Sequence, residues 1–246
     1  MDERAELDAA LPSSIEVGEL VHTGGTARVY SGRDRRRGVD VSVKVLDGDR
    51  RHLVETEGRA LARLSGHPAI LEPVAVGSVD GGSVDGGSVD GGIAWIVTDL
   101  AAGGALSEQA GSLTPEVLAW AAQLADALAY AHSKGVVHGD VKPANVLLDE
   151  QSRVRLADFG SAVLRDDGGA APRRRGFTPR FASPERLGAD AATEADDVYG
   201  IAATVGFLLV PGARLPSRAR RVLQRAAGPP QRRPPARRVA SLLERT

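Results

Sequence analysis

His138-Gly139-Asp140-Val141-Lys142-Pro143-Ala144-Asn145, followed by Asp158-Phe159-Gly160, decides how this 246-residue chain is read. An acid, a cation two residues on, an amide three beyond that and a second acid further along form a set suited to phosphoryl transfer. Such chemistry needs a carboxylate to accept the nucleophile's proton and oxygen ligands for metal ions that bridge phosphates. It also needs positive charge where electron density grows in the transition state. Asp140, Asn145, Asp158 and Lys142 supply these groups in that order. A loop aspartate is commonly a turn or cap acid; the company of Lys142 and Asn145 argues against that here.

Upstream of the loop, Thr114-Pro115-Glu116 predicts a helix start, with a hydroxyl cap and proline at the first helical position. Val117, Trp120, Leu124, Leu128 and Ala131 predict its buried stripe, and Gly135 its end. Downstream, Val146–Leu148 and Val154–Leu156 predict a short hairpin leading to Asp158. Towards the N-terminus, residues 15–17, 27–31 and 39–46 read as strands, with a glycine turn at Thr23-Gly24-Gly25-Thr26. Arg51 to Leu64 has helical spacing, and Leu53, Glu57, Leu61 and Leu64 share one stripe, with Glu55 rotated away from it. Lys44, flanked by valines, is expected to pair with Glu57. Three copies of Ser-Val-Asp-Gly-Gly fill Ser78 to Gly92, polar and without an apolar face. Ile93 to Thr98 predicts a buried strand, and Leu100 to Gly104 a hinge.

Composition narrows the field. With 42% hydrophobic residues the chain can bury one large core or two small ones. It has no cysteine, which excludes disulfides and thiolate metal sites and suits a reducing compartment. The net charge of −1 gives no global field toward nucleic acid or membrane. No apolar run approaches the ~20 residues of a membrane span. The arginine-rich tail, Arg214 to Arg245, has no interleaved aromatic residue and reads as a solvated face, as does Arg173-Arg174-Arg175. The expectation is a soluble cytoplasmic protein with no nucleic-acid or membrane partner.

Over nearly its whole length the chain resembles the catalytic domains of bacterial eukaryotic-like (Hanks-type) Ser/Thr protein kinases. The motifs that carry the resemblance are the 138–145 loop, Asp158-Phe159-Gly160, Lys44 in Val41-Ser42-Val43-Lys44-Val45, and Ser183-Pro184-Glu185. The resemblance implies an α+β, two-lobed fold. Residues 15–100 would form a β-rich N-lobe, with a repeat loop at 78–92. Residues 101–246 would form a mostly helical, abbreviated C-lobe, and residues 1–14 a poorly ordered extension. It also implies ATP with Mg2+ or Mn2+ as cofactors, and Ser/Thr hydroxyls of protein substrates, this chain included, as acceptors.

Residue by residue, the resemblance makes Asp140 the group that orients the acceptor hydroxyl and takes its proton. Lys142 would steady the transferred phosphoryl, Thr178 would face the acceptor, and Lys44 with Glu57 would set the phosphates. Asn145 and Asp158 would hold the metal. Nucleotide contacts are implied at Val21, Gly24, Gly25, Val29 and Ser42, and again at Thr98, Leu100 and Leu147. Glu185 would pair with Arg233, and Asp197 would hold the catalytic loop from below. Ser161, Thr178 and Ser183 are candidate phosphorylation sites. The chain departs from the family pattern at His22 and Ala27, where glycines are usual, at Ser42 for alanine and at Gly139 for arginine. A helix usual after the central one is missing between Pro211 and Ser217. His-Gly-Asp with a downstream asparagine also resembles small-molecule kinases of the aminoglycoside-phosphotransferase type. His22, Ser42 and the missing helix leave a third alternative, a catalytically weak kinase-fold binding module.

Overall fold

The computed structural model describes residues 3–24, 27–47, 50–79, 83–84, 87–88, 92–165, 176–188 and 191–245. These form two compact units, one of residues 1–62 and 72–100, the other of 63–71 and 101–246. The boundary differs from the expected break at residue 100 alone, because residues 63–71 join the second unit. Backbone hydrogen bonds from Leu156 N to Ala69 O (2.8 Å) and Leu71 N to Leu156 O (3.1 Å) hold them there.

The first unit is an antiparallel five-stranded sheet. Its strands are β1 (Ile15–Thr23), β2 (Arg28–Asp34), β3 (Val39–Asp47), β4 (Pro73–Val79) and, beyond the short pair β5 (Ser83–Val84) and β6 (Gly87–Ser88), β7 (Ile93–Asp99). The order is β1-β2-β3-β7-β4. Alternation along β3 sorts side chains onto two faces. Val41, Val43 and Val45 are fully buried on one face with Tyr30, Trp95 and Val97. Helix α1 (Glu3–Ala10) lies against the edge strands β1 and β4, and Leu7 on it and Leu11 just beyond its end join that core. Within the N-terminal segment the residues Glu3–Ala10 thus form a helix, because two leucines four residues apart complete an apolar face that the sheet leaves uncovered. The other face is given by register: Lys44 stands opposite Val29 and Ile96, and Ser42 opposite Ser31 and Thr98. Within the repeat, β5 and β6 pair as a two-residue ladder; the rest of the repeat tip lies outside the described residues.

Helix α2 spans Arg51–Leu64, as its spacing predicts. Glu57, Leu61 and Leu64 are buried and Glu55 is exposed, while Val54 is buried in place of the half-buried Leu53.

The second unit is mostly helical, with α3 (Thr114–Ser133), α4 (Glu194–Leu208), α5 (Ser217–Ala226) and α6 (Ala236–Leu243). All five residues expected on the α3 stripe are buried. The expected Thr114 cap is not formed: Leu113 is the N-cap, and its carbonyl accepts Val117 N at 3.1 Å. Helix α3 ends at a left-handed Gly135 (φ +71°), which turns the chain into β8 (Val136–Val137). Strands β9 (Val146–Leu148) and β10 (Val154–Leu156) pair as the expected hairpin, and β11 (Val163–Leu164) pairs with β8. Residues 209–216 join α4 to α5 without a helix. Among the described residues no helix is long and apolar enough to cross a membrane.

Candidate active site

In the first unit, Lys44 Nζ lies 2.8 Å from Glu57 Oε2, with side-chain exposures of 21% and 5%. A strand position facing away from the valine core and a helix position on the buried stripe bring the two charges together across 13 residues. Val29, Ser42 and Thr98 share the sheet face of Lys44, so four of the residues expected to serve the nucleotide stand side by side. Gly24 N donates to Ala27 O at 2.8 Å and closes the turn at the end of β1. Gly25 lies outside the described residues. Val21 sits where the β1–β2 register shifts and is exposed, as is Leu100 at the end of the sheet.

In the second unit, the loop between β8 and β9 gathers Asp140, Lys142 and Asn145, and segment 176–188 brings Thr178 to them. Asp140 Oδ2 accepts Lys142 Nζ at 2.6 Å, and Oδ1 accepts the Thr178 backbone N–H at 2.8 Å. Lys142 Nζ also donates to Thr178 Oγ1 at 2.8 Å, whose hydroxyl in turn donates to Asp140 Oδ2 at 3.3 Å. The result is a closed ring of charge-assisted bonds that fixes the carboxylate in orientation. Asn145 Nδ2 donates to the Asp140 carbonyl at 2.9 Å, which leaves its amide oxygen to accept a cation. Leu147 follows on β9, half-buried and opposite Arg155.

The loop is held from beneath by Asp197 at the start of α4, 1% exposed. Its Oδ1 accepts Gly139 N at 2.8 Å, and its Oδ2 accepts His138 N at 2.9 Å and meets His132 Nε2 at 2.8 Å. Thr193 and Asp196 form a reciprocal capping box at the same helix start. Gly139 has φ +83°, and a Cβ there would stand 2.8 Å from Ser161 O. His138 is fully buried; its Nε2 meets Ala157 O at 2.9 Å while Nδ1 accepts Asp140 N at 3.3 Å, a pattern that fits the Nε2-protonated tautomer. Its ring lies 4.7 Å from that of Phe159, which is also fully buried. Asp158 adopts left-handed backbone angles (φ 59°, ψ 67°). A non-glycine residue in that region costs about 1–2 kcal/mol, and such strain concentrates at functional positions.

Segment 176–188 is anchored beyond Thr178. Ser161 Oγ donates to Gly176 O at 2.7 Å. Ser183, a candidate acceptor from sequence, is fully buried and hydrogen-bonded to Asp196. Glu185 pairs with Arg233, whose side chain is 2% exposed and also donates to Gly228 O (2.8 Å) and Ala195 O (3.0 Å). Glu185 is itself 37% exposed, so the pair is half-buried rather than enclosed. Burial pushes the Glu185 carboxyl up, but the hydrogen bond and charge of Arg233 outweigh it and hold it below the usual value. In the β9–β10 turn burial likewise raises the Asp149 carboxyl, yet the backbone and side chain of Arg153 and the Gln151 N–H bring it below its usual value.

The donors suit a hard divalent cation. Mg2+ takes one or two protein oxygens and completes its octahedron with water and substrate phosphates. Asn145 and Asp158 offer an amide oxygen and a carboxylate, and among the described residues no group of three His, Cys, Asp or Glu competes as a dedicated metal cage. Sequence reasoning missed His132 and Arg186. His132 stands six residues before His138, where a histidine on an apolar helix reads as core. Arg186 is buried with its guanidinium 4.8 Å from the Phe177 ring, though nothing in its local sequence separates it from the exposed arginines nearby.

Residues 15–224 match the protein kinase domain. The chain is 33% identical over 207 residues to the Ser/Thr-protein kinase PknK of Mycobacterium bovis, covering 82% of this chain and 18% of that protein. It is 30% identical over 207 residues to PknB of Mycobacterium tuberculosis, covering 78% and 31%. It is also 34% identical over 184 residues to CBL-interacting protein kinase 22 of Oryza sativa, covering 63% and 38%. The matched part of the chain therefore spans between 18% and 38% of the length of these relatives. With that match and the Asp140, Lys142 and Asn145 loop in place, the chain belongs to the protein kinase family.

Proposed function

We propose that this chain transfers the γ-phosphoryl group of ATP, with Mg2+, to Ser or Thr hydroxyls of proteins. The observation that carries the proposal is the ring joining Asp140, Lys142 and Thr178. It puts a segment of chain outside the catalytic loop directly against the proton acceptor, where an extended peptide acceptor has something to lie along. Asp140 orients the acceptor hydroxyl and takes its proton, a role worth about 10²–10⁴ in rate. Lys142 steadies the transferred group, and Lys44, oriented by Glu57, serves the α- and β-phosphates. Bound Mg2+, held by Asn145 and Asp158, would neutralise charge on the phosphate oxygens.

Phosphate transfer from labelled ATP to a generic protein with accessible Ser and Thr tests this. The expected result is label that falls by about 10²–10⁴ in Asp140→Asn, with the fold intact. Label that persists in the variant, or that reaches only hydroxylated small molecules, would overturn the proposal.

A further inference from the structure

Ten arginines and a single acid, Glu244, fall in residues 209–246, a balance of +9; since the whole chain carries −1, residues 1–208 carry −10. Among the described residues most of these cations lack the carboxylate partner that many arginines elsewhere have. In the first unit Arg28, Arg33, Arg35 and Arg37 each pair with a carboxylate, on Asp47, Asp40, Glu16 and Asp99. In the second unit Arg153, Arg155 and Arg165 are paired as well. In the last two helices and their flanks, among the described residues, only Arg233 is paired. Arg218, Arg221 and Arg225 run along one stripe of α5 at spacings of three and four, all exposed, with Arg237 and Arg238 exposed on the first turn of α6. None of these five has an acidic partner among the described residues.

The free chain carries this pattern at a cost. Like charges at these spacings repel along a helix. Neither α5 nor α6 has an acid in its first turn, so Arg218, Arg237 and Arg238 also stand at the positive ends of helix dipoles. The buried faces of the two helices are apolar and make no use of these arginines: Ala219, Val222, Leu223 and Ala226 on α5, and Ala236, Val239, Ala240 and Leu243 on α6. Repulsion of this kind is relieved by an anionic partner.

We infer that the arginine stripe of α5 docks a carboxylate-rich segment of another protein. Guanidinium forks match carboxylates two bonds at a time. No aromatic residue lies after Phe207 to stack on bases, and neither helix exposes a large apolar side chain to enter a bilayer. Those absences argue against single-stranded nucleic acid and an inserted lipid anchor. The net charge of −1 gives no global field toward duplex DNA or an anionic membrane, which leaves a short acidic polypeptide segment as the fitting occupant. The surface is independent of phosphoryl transfer, so its test uses no ATP and its failure leaves the kinase reading untouched.

Binding of a fluorescent oligoglutamate peptide to the full chain is measured against salt, alongside duplex DNA and phosphatidylserine vesicles. The peptide should bind tightest and weaken as salt rises, and R218Q/R221Q/R225Q should weaken it by about tenfold or more. R28Q/R33Q/R35Q, which removes the same charge from paired positions, should leave binding unchanged. The α5 variant should unfold at or above the wild-type temperature. Equal binding by the α5 variant, loss of binding in the control variant, or tighter binding by DNA or vesicles would each overturn the inference. So would a sedimentation dimer that the α5 variant abolishes, or a lowered unfolding temperature in that variant.

Discussion

Among the described residues two lysine–carboxylate pairs are built in opposite ways. Lys44 and Glu57 come from a strand and a helix, and each inherits its position from a regular backbone ladder. Asp140 and Lys142 are two residues apart on a loop without ladder hydrogen bonds, and their geometry comes from side chains. Asp197 fixes the loop backbone and Thr178 fixes the carboxylate. A ladder spreads its load over many equivalent bonds, each contributing about 1 kcal/mol net. The loop concentrates its load on one buried acid. The loop pair should therefore be the more sensitive of the two to a single substitution away from the chemistry.

Asp197→Asn is the sharpest way to break that comparison. The amide keeps the shape but removes charge and places a donor where one oxygen accepted the N–H of either His138 or Gly139. Leaving one of these buried donors without its charged acceptor should cost about 3 kcal/mol. A loop displaced by even ~1 Å should lose about 10² in turnover. Urea unfolding together with initial rates checks both; wild-type turnover in this variant would mean that the loop is held by something other than Asp197.

Lys44→Met tests the other pair. It removes the main cation from a carboxylate that is only 5% exposed, and breaking a buried pair costs about 3–5 kcal/mol. Adding Glu57→Gln should recover part of that stability, because no buried charge is then left behind, while activity should stay lost. A double variant as unstable as Lys44→Met alone would show that the pair is not a local electrostatic unit.

The same contrast explains what was legible in the sequence. Alternation along β3 and the stripe of α2 gave the phase of Lys44 and Glu57, and singled out Glu57 over Glu55, because period-2 and period-3.6 patterns report which side faces a core. The catalytic loop was recognisable by motif, and Asp197 and Arg233 followed from it. His132 escaped because its partner lies 65 residues away and a histidine on a buried helix has no distinguishing spacing. Helix α1 escaped because two leucines in an acidic segment give no periodicity until the sheet supplies a face to cover. The exposure of Glu185 was likewise invisible, since motif spacing names partners and not how much solvent reaches them.

Gly139→Ala probes the loop more gently. The backbone there is left-handed, which costs a residue with Cβ about 1–2 kcal/mol, and the new methyl would press on Ser161 O. A cost of about 2 kcal/mol is expected from thermal unfolding, with reduced turnover if Ser161 moves segment 176–188 through its bond to Gly176. An alanine variant as stable as wild type would place the loop in another conformation.

Glu185→Gln should have the smallest effect, because a pair open to solvent on one side is screened and contributes about 1 kcal/mol or less. Arg233 keeps its bonds to Gly228 and Ala195 and its position 5.1 Å from the Tyr199 ring whether or not Glu185 is charged. The sign of the pH dependence follows from the lowered carboxyl. In the unfolded chain Glu185 takes up its proton near its ordinary value of 4.5, and in the folded chain at a lower pH. Its contribution is therefore full above 4.5 and is lost as pH falls through the lowered folded value. The stability gap between wild type and Glu185→Gln, measured by urea unfolding, should be constant near neutrality and close on acidification below 4.5. A gap that instead widened in acid would mean that burial, not Arg233, governs this carboxyl, and the pair would then belong with the enclosed Lys44–Glu57 kind.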